Sequence, residues 1–419
     1  MAIDVFYSVC PYGSGDIMTG NPTISISGGV ATLSVAQTGN IGQGCRITYN
    51  GTSVCYISLV NSPTSFNVVT ATGGTPGNVS GQEVNSIAHE YASISAAIAG
   101  AMDADHLDSN DLTGIMLNIP YYYDHDDYTL IDSITVIDGY TGAGPDNHIR
   151  LYAAAGGEQS IRDQRSRGLW DVERAMISLA GPVGNTGYPI INRLPYTEII
   201  GLQIYAWHST PLYNDGGNYA VIDQCTVWHG DSFDSQVIYI FGDGVRISNT
   251  VGIQERSYRV YRLRGNNEIV YNNIAIGGTR GFNKQAGTNA LVVNNIAVGQ
   301  STACFSGAFA AGSDYNVSSD ATAPGAHSLY NQLIADLFVD SENHDYRPKA
   351  GANTIDAGIG PALDSNVPTT DIVGTSRSGN TCDIGAFEYM AAGTGPKWNG
   401  ITPATWNGID WSNIKWNGM

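Results

Sequence analysis

Between residues 197 and 300 the apolar and polar positions repeat one short phrase five times: Glu198-Ile-Ile-Gly-Leu-Gln-Ile204, Ala220-Val-Ile-Asp-Gln-Cys-Thr-Val227, Val245-Arg-Ile-Ser-Asn-Thr-Val251, Glu268-Ile-Val-Tyr-Asn-Asn-Ile-Ala-Ile276 and Ala290-Leu-Val-Val-Asn-Asn-Ile-Ala-Val298. Aligned on Gly201, Gln224, Asn249, Asn273 and Asn295, the copies lie 23, 25, 24 and 22 residues apart. That is the length of one coil of a parallel β-solenoid. A single copy cannot bury its own apolar face, so the copies must stack, and the pattern predicts a right-handed parallel β-helix. Asn272-Asn273 and Asn294-Asn295 occupy the same place in the last two copies. Asparagine tolerates left-handed backbone and can donate up and down a stack, which predicts an asparagine ladder at the turns.

The rest of the chain divides around this repeat. Residues 1–82 carry period-2 runs (Thr23-Ile-Ser-Ile-Ser27, Ala31-Thr-Leu-Ser-Val35, Cys45-Arg-Ile-Thr-Tyr49, Val54–Val60, Ser65–Val69) separated by glycine-rich turns, which predicts a separate small β barrel or sandwich. Within residues 83–111, the segment Ser86–Met102 places Ile87, Tyr91, Ile94 and Ile98 on one helical stripe, with Asn85 or Ser86 as N-cap. A helix there is placed to cap the open end of the solenoid. Residues 112–322 read as the β-helix, its first coils interrupted by loops, and 323–389 as its loop-rich C-terminal end. Residues 390–419 read as a linker followed by Lys397-Trp-Asn-Gly, Thr405-Trp-Asn-Gly, Asp410-Trp-Ser-Asn and Lys415-Trp-Asn-Gly. Trp398, Trp406, Trp411 and Trp416 are an aggregation hazard unless they pack on a surface, so this tail is expected to serve assembly.

Composition narrows the function. With 51 glycines, 24 tyrosines and 14% charged residues in 419 positions, the chain is turn-rich and all-β. A net charge of −19 repels phosphate backbones and anionic membranes, so neither is an expected partner. No apolar run is long enough to span a bilayer, and Met-Ala-Ile-Asp-Val-Phe-Tyr-Ser lacks the marks of a secretory signal, which predicts a product made in a cytoplasm. The six cysteines show no metal-ligand spacing. A tight turn at Asn50-Gly51 would pair Tyr49 with Thr52 and Cys45 with Tyr56, placing Cys45 and Cys55 on opposite sides without a bridge.

Candidate chemistry gathers on the first regular coils. Trp207-His208 follows one core strand and Trp228-His229 the next, with Asp215, Asp231 and Asp234 in adjoining loops. Coils about 4.8 Å apart would bring these residues together. Aromatic faces suit a sugar ring, and Asp215, Asp231, Asp234 and His229 are the candidates for acid and base work on a glycosidic bond. The ordinary alternative is that the rings seal turns and the aspartates shape them. Arg262 and Arg264 alternate with Leu263 and share the outer face of a strand in an otherwise acidic protein; they join the glycan-binding candidates. Asp124-His-Asp-Asp127 lacks the spacing of a calcium loop, and no metal site or cofactor is expected.

Two segments carry a resemblance. Asp314-Tyr-Asn-Val, Asp345-Tyr-Arg-Pro348, Thr354-Ile-Asp-Ala-Gly358 and Cys382-Asp-Ile-Gly-Ala-Phe-Glu-Tyr389 resemble the closing region of right-handed parallel β-helix proteins related to polysaccharide lyases and surface adhesins. The order of small β domain, capping helix, β-helix and Trp-Asn-Gly tail resembles phage fibre, tailspike and head-decoration proteins. The resemblance implies a virion structural protein that self-associates, as a trimer in the manner of many fibres, contacts other virion proteins and attaches to a host surface glycan. The alternative it implies is a tailspike-like polysaccharide lyase or glycoside hydrolase, the lyase with Ca²⁺ to neutralise a uronate carboxylate.

Overall fold

The computed structural model describes residues 2–11, 15–123, 135–171, 174–179, 188–230 and 235–390. Three parallel sheets form its body. The first runs Ile3–Phe6, Ile115–Tyr121, Ile149–Ala153, Glu198–Ile200, Val221–Asp223, Arg246–Ser248, Ile269–Tyr271 and Leu291–Val293. The second runs from Met176–Leu179 through Gln203–Ala206, Thr226–His229, Val251–Gln254, Ile274–Gly277 and Ile296–Val298 to Val317–Ser318. The third begins at Thr135–Ile137 and passes through Ile190–Asn192, Leu212–Asn214, Ile238–Ile240, Arg259–Leu263 and Arg280–Lys284 to Ala303–Ser306. Each coil gives one strand to each sheet in turn, so the body is a parallel β-helix.

Register explains why five similar phrases make one core. Ile199, Ile222, Ile247, Val270 and Val292 are successive register partners in the first sheet, and all point into the solenoid. Opposite them, Tyr261, Phe282 and Phe305 stack at centroid distances of 4.6 and 5.2 Å. Each apolar side chain is covered by its copy above and below, which is the burial no single coil achieves.

The corner between the first and second sheets needs left-handed backbone. Gly201, Gln224, Asn249, Asn272 and Asn294 supply it, with φ between 46° and 70°. The expected alignment therefore shifts by one residue in the last two copies, where the left-handed residue is the first asparagine. The second asparagine turns inward and makes the ladder. Asn273 Nδ2 donates to Asn295 Oδ1 at 3.0 Å, and Asn295 Nδ2 donates to Asn316 Oδ1 at 3.2 Å. Asn316, two residues after Asp314, adds a third rung that the repeat pattern did not show.

The N-terminal region is tied to the solenoid from its first strand. Ile3–Phe6 pairs in parallel with Ile115–Asn118 and forms the outermost strand of the first sheet. Six further strands, Thr23–Ser27, Val30–Leu33, Arg46–Tyr49, Ser53–Ser62, Ser65–Val69 and Val79–Ala88, close into a barrel. The boundary expected at residue 82 cuts the last of these. The expected helix from Ser86 is shorter for the same reason. Ile87 is a fully buried barrel residue, and the helix spans only Ile94–Gly100, with Ser93 as its N-cap. Ile94, Ala97 and Ile98 of that helix pack into the solenoid core, and Tyr140 donates its hydroxyl to Ile98 O at 2.7 Å. The hairpin register also differs: Tyr49 pairs with Ser53 across a three-residue turn, so Ile47 faces Cys55. Cys45 and Cys55 consequently share the barrel core, both as buried thiols.

Residues 323–389 fold back over the outer face of the second sheet. Ile253, Ile274, Ile276, Ile296 and Val298 point outward there, against Leu337, Phe338, Tyr346, Ile372, Ile384 and Phe387. Gly385 N donates to Asn294 O at 2.8 Å, while Gly385 O accepts from Asn272 Nδ2 at 3.2 Å. The Asp383–Tyr389 motif is thus a clasp that fastens this segment to the left-handed corner. Trp398, Trp406, Trp411 and Trp416, and the Asp124–Asp127 turn, lie outside the described residues. No helix among the described residues is long and apolar enough to cross a membrane.

Candidate functional site

The tryptophan and histidine pairs do not form an open cluster. Trp228 pairs in register with Tyr205, and Ala206 with His229, so Trp207 and His208 sit two places beyond their expected partners. Trp228 is only 7% exposed. Its ring meets Tyr205 at 5.3 Å, Trp170 at 5.4 Å and His344 at 5.0 Å, beneath the C-terminal segment. His229 points into the solenoid, fully buried, with Nδ1 3.0 Å from Gln254 Oε1. Period-2 alternation accounts for both: neighbouring residues of one strand face opposite sides, and here both sides are covered. Trp207 and His208 remain half-buried at the edge of that seam. Trp228 and His229 therefore leave the glycan-binding set for the structural one. Asp231 and Asp234 lie outside the described residues.

The exposed chemistry lies on the outer face of the third sheet. Tyr213, Tyr239, Arg262 and Asn283 are successive register partners and form one outward column along the solenoid axis. Tyr213 and Tyr239 stack at 4.7 Å with 11° between planes, Tyr188 packs on Tyr213 at 5.3 Å, and the Arg262 guanidinium lies 4.5 Å from the Tyr239 centroid. Next to this column runs a second, in which Asp215, Phe241, Arg264 and Gln285 follow the same register. Phe241 is 47% exposed, with the Arg264 guanidinium 5.4 Å from its centroid.

These side chains hold one another in place. Arg264 Nη1 donates to the Tyr239 hydroxyl at 2.7 Å. Arg262 Nε donates to Gln285 Oε1 at 2.6 Å and its Nη1 to Gln236 Oε1 at 3.1 Å. Asp215 accepts from the Tyr213 hydroxyl at 2.9 Å and from Arg193 Nε at 3.0 Å. Burial, with the Asp215 carboxylate beside it, pushes the Tyr213 hydroxyl well above its ordinary pKa, so it stays a donor at any ordinary pH. Because the ring faces are used in stacking, the column offers a ligand a comb of hydroxyl, guanidinium, amide and carboxylate groups rather than a flat aromatic platform.

Arg262 and Arg264 thus share an outer face, and Asp215 stands near them, but as the partner of Arg193 and Tyr213 rather than as half of an acid pair. Tyr213, Tyr239 and Phe241 were missed as site residues. The signal for them was a register: Tyr213 and Tyr239 are 26 residues apart, one coil, on the outward phase of their strands. An acid and base pair is set at the C-terminal seam. His344, in left-handed backbone at φ 59°, lies 4.0 Å from Glu255 and 3.0 Å from the Tyr346 hydroxyl. Burial raises the pKa of Glu255 and lowers that of His344. Among the described residues no group of three or more His, Cys, Asp or Glu side chains is arranged to hold a metal ion.

No family model matches the chain, and no curated protein matches it. Among solved structures, it is similar to a crystal structure of the pectate lyase Pel9A at 15% identity and a TM-score of 0.35, over 69% of this chain and 90% of that one.

Proposed function

We propose that the chain is an attachment protein rather than an enzyme: a β-helical fibre, spike or decoration subunit of a phage particle that receives a glycan on the outer face of its third sheet. The comb formed by Tyr213, Tyr239, Arg262, Arg264 and Gln285 carries this reading, because planar polar side chains held on a rigid scaffold recognise sugar hydroxyls at little ordering cost. The barrel-first layout and the Trp-Asn-Gly tail supply its particle side. On this reading the tail at 397–419 docks on a second copy or on neighbouring virion proteins. The test is binding of the full chain to a glycan panel, with Tyr239→Ala and Arg262→Gln as variants. A glycan bound by the wild type and lost in both variants, with melting temperature kept, supports it. Chain shortening or new reducing ends on that glycan would instead make the protein an enzyme. Recovery of native particles without this chain would remove the virion assignment.

A further inference from the structure

The basic groups on the third sheet are arranged as if for an anion. Arg259 and Arg280 are direct register partners, side by side on neighbouring coils. Arg262 and Arg264 share the outward phase of the strand that Arg259 opens, while Val260 and Tyr261 both pack into the solenoid core. Four arginines thus gather on two neighbouring strands of a protein with a net charge of −19. Like charges set side by side on a sheet repel one another. Among the described residues no carboxylate lies within ion-pairing distance of any of the four. Nε and Nη1 of Arg259 and Nε of Arg264 are shielded from solvent yet meet no acceptor there. A guanidinium is the group best shaped to take a carboxylate on two parallel N–H bonds.

We infer that this face takes an acidic glycan, a polymer of carboxylate-bearing sugars. The inference rests on the glycan reading above and adds the class of sugar. Carboxylates then meet the guanidinium groups of Arg259, Arg262, Arg264 and Arg280, while hydroxyls meet Tyr239, Gln236 and Gln285. A nucleic acid would also offer anions, but the Tyr213 and Tyr239 ring faces on which its bases would stack are already stacked on one another.

The test uses the full chain and polygalacturonate, hyaluronate and alginate oligomers of graded length, each beside its carboxyl-methyl-esterified form, with a single-stranded oligonucleotide as a further arm. The expected result is binding of at least one acidic series that strengthens with length over the first several sugars, weakens as salt rises and drops about tenfold or more on esterification. Arg262→Gln and Arg264→Gln should each cause a similar loss at unchanged melting temperature. Arg259→Lys, which keeps the charge, guards against a folding artefact: it should weaken binding less than Arg259→Gln. Equal binding of acidic and esterified forms overturns the acidic inference and leaves the glycan reading standing. Binding of no glycan overturns both, and preference for the oligonucleotide overturns both in favour of a nucleic-acid partner.

Discussion

Asn273 and Asn295, one coil apart, are joined twice: the backbone N–H and the side-chain Nδ2 of Asn273 both donate to Asn295 Oδ1 at 3.0 Å. Asn295 in turn donates to Val270 O at 2.8 Å and Val293 O at 3.0 Å. One fully buried amide therefore bonds backbone groups of two coils at the corner between the first and second sheets. Asn295→Ala should leave the buried Asn273 N–H without its acceptor and lower the unfolding free energy by roughly 2 to 4 kcal/mol. Urea unfolding followed by far-UV circular dichroism measures this. A loss under about 0.5 kcal/mol, an ordinary surface effect, would mean the corner is held by its strands alone.

His89 gives the N-terminal seam a pH dependence. Its ring lies 4.6 Å from Tyr122 of the solenoid and 3.6 Å from the Cys45 sulfur of the barrel, and burial lowers its pKa from 6.5 to about 3. A base whose folded pKa is depressed stabilises the fold above its unfolded pKa, and that contribution is lost as pH falls from 6.5 towards 3. The full effect is of the order of 5 kcal/mol. Thermal melts should fall steeply across that window, and His89→Phe should flatten the slope. An unchanged slope in the variant would assign the acid sensitivity to other groups.

The solenoid was legible because its physics is local and repeated: a coil length, an inward apolar phase and an asparagine at each corner are all visible in sequence. Ile87 shows where legibility ends. It fits a helical stripe with Tyr91 and Ile94 and equally the inward phase of Val79–Ala88, and only closure of the barrel, a long-range event, decides for the strand. Ile3–Phe6 is hidden likewise, since its partner lies more than a hundred residues away. The site was half legible for a related reason. Trp228 looks like a ligand platform until the segment 323–389 is laid over it, whereas Arg262 and Arg264 stay outside because nothing in the described chain covers the third sheet.

Trp228 accordingly belongs to stability. Trp228→Ala should cost roughly 3 to 5 kcal/mol, the scale of a large aromatic deletion in a core, and should loosen the C-terminal segment that rests on it. Limited proteolysis should then cut between residues 323 and 389 before it cuts the coils, while glycan affinity of the molecules still folded stays unchanged. If affinity falls and proteolysis does not change, the indole is a ligand contact after all.

Truncation at the N-terminus tests how the solenoid is closed. A chain starting at Gly81 looks like a clean removal of the small domain, but it takes away Ile3–Phe6, including the Ile3 N to Gly114 O bond at 2.8 Å and the Tyr7 N to Asn118 O bond at 3.0 Å. It also leaves most of the barrel's closing strand without partners. The edge of Ile115–Tyr121 would then be bare, and a bare, apolar strand edge invites pairing with other chains. The chain from Gly81 should therefore aggregate. A second deletion separates the strand from the barrel. Ile17 N donates to Ile87 O at 2.8 Å, so the two chain ends of the barrel are adjacent. Removing residues 18–86 and joining Ile17 to Ile87 through two or three glycines keeps the outer strand, the Glu90 ion pair with His106 and the capping helix in place. This internally shortened chain should stay soluble and β-rich, as judged by size-exclusion chromatography with light scattering and by circular dichroism. If the chain from Gly81 is the monodisperse one and the internal deletion aggregates, the solenoid is closed by something other than its first strand.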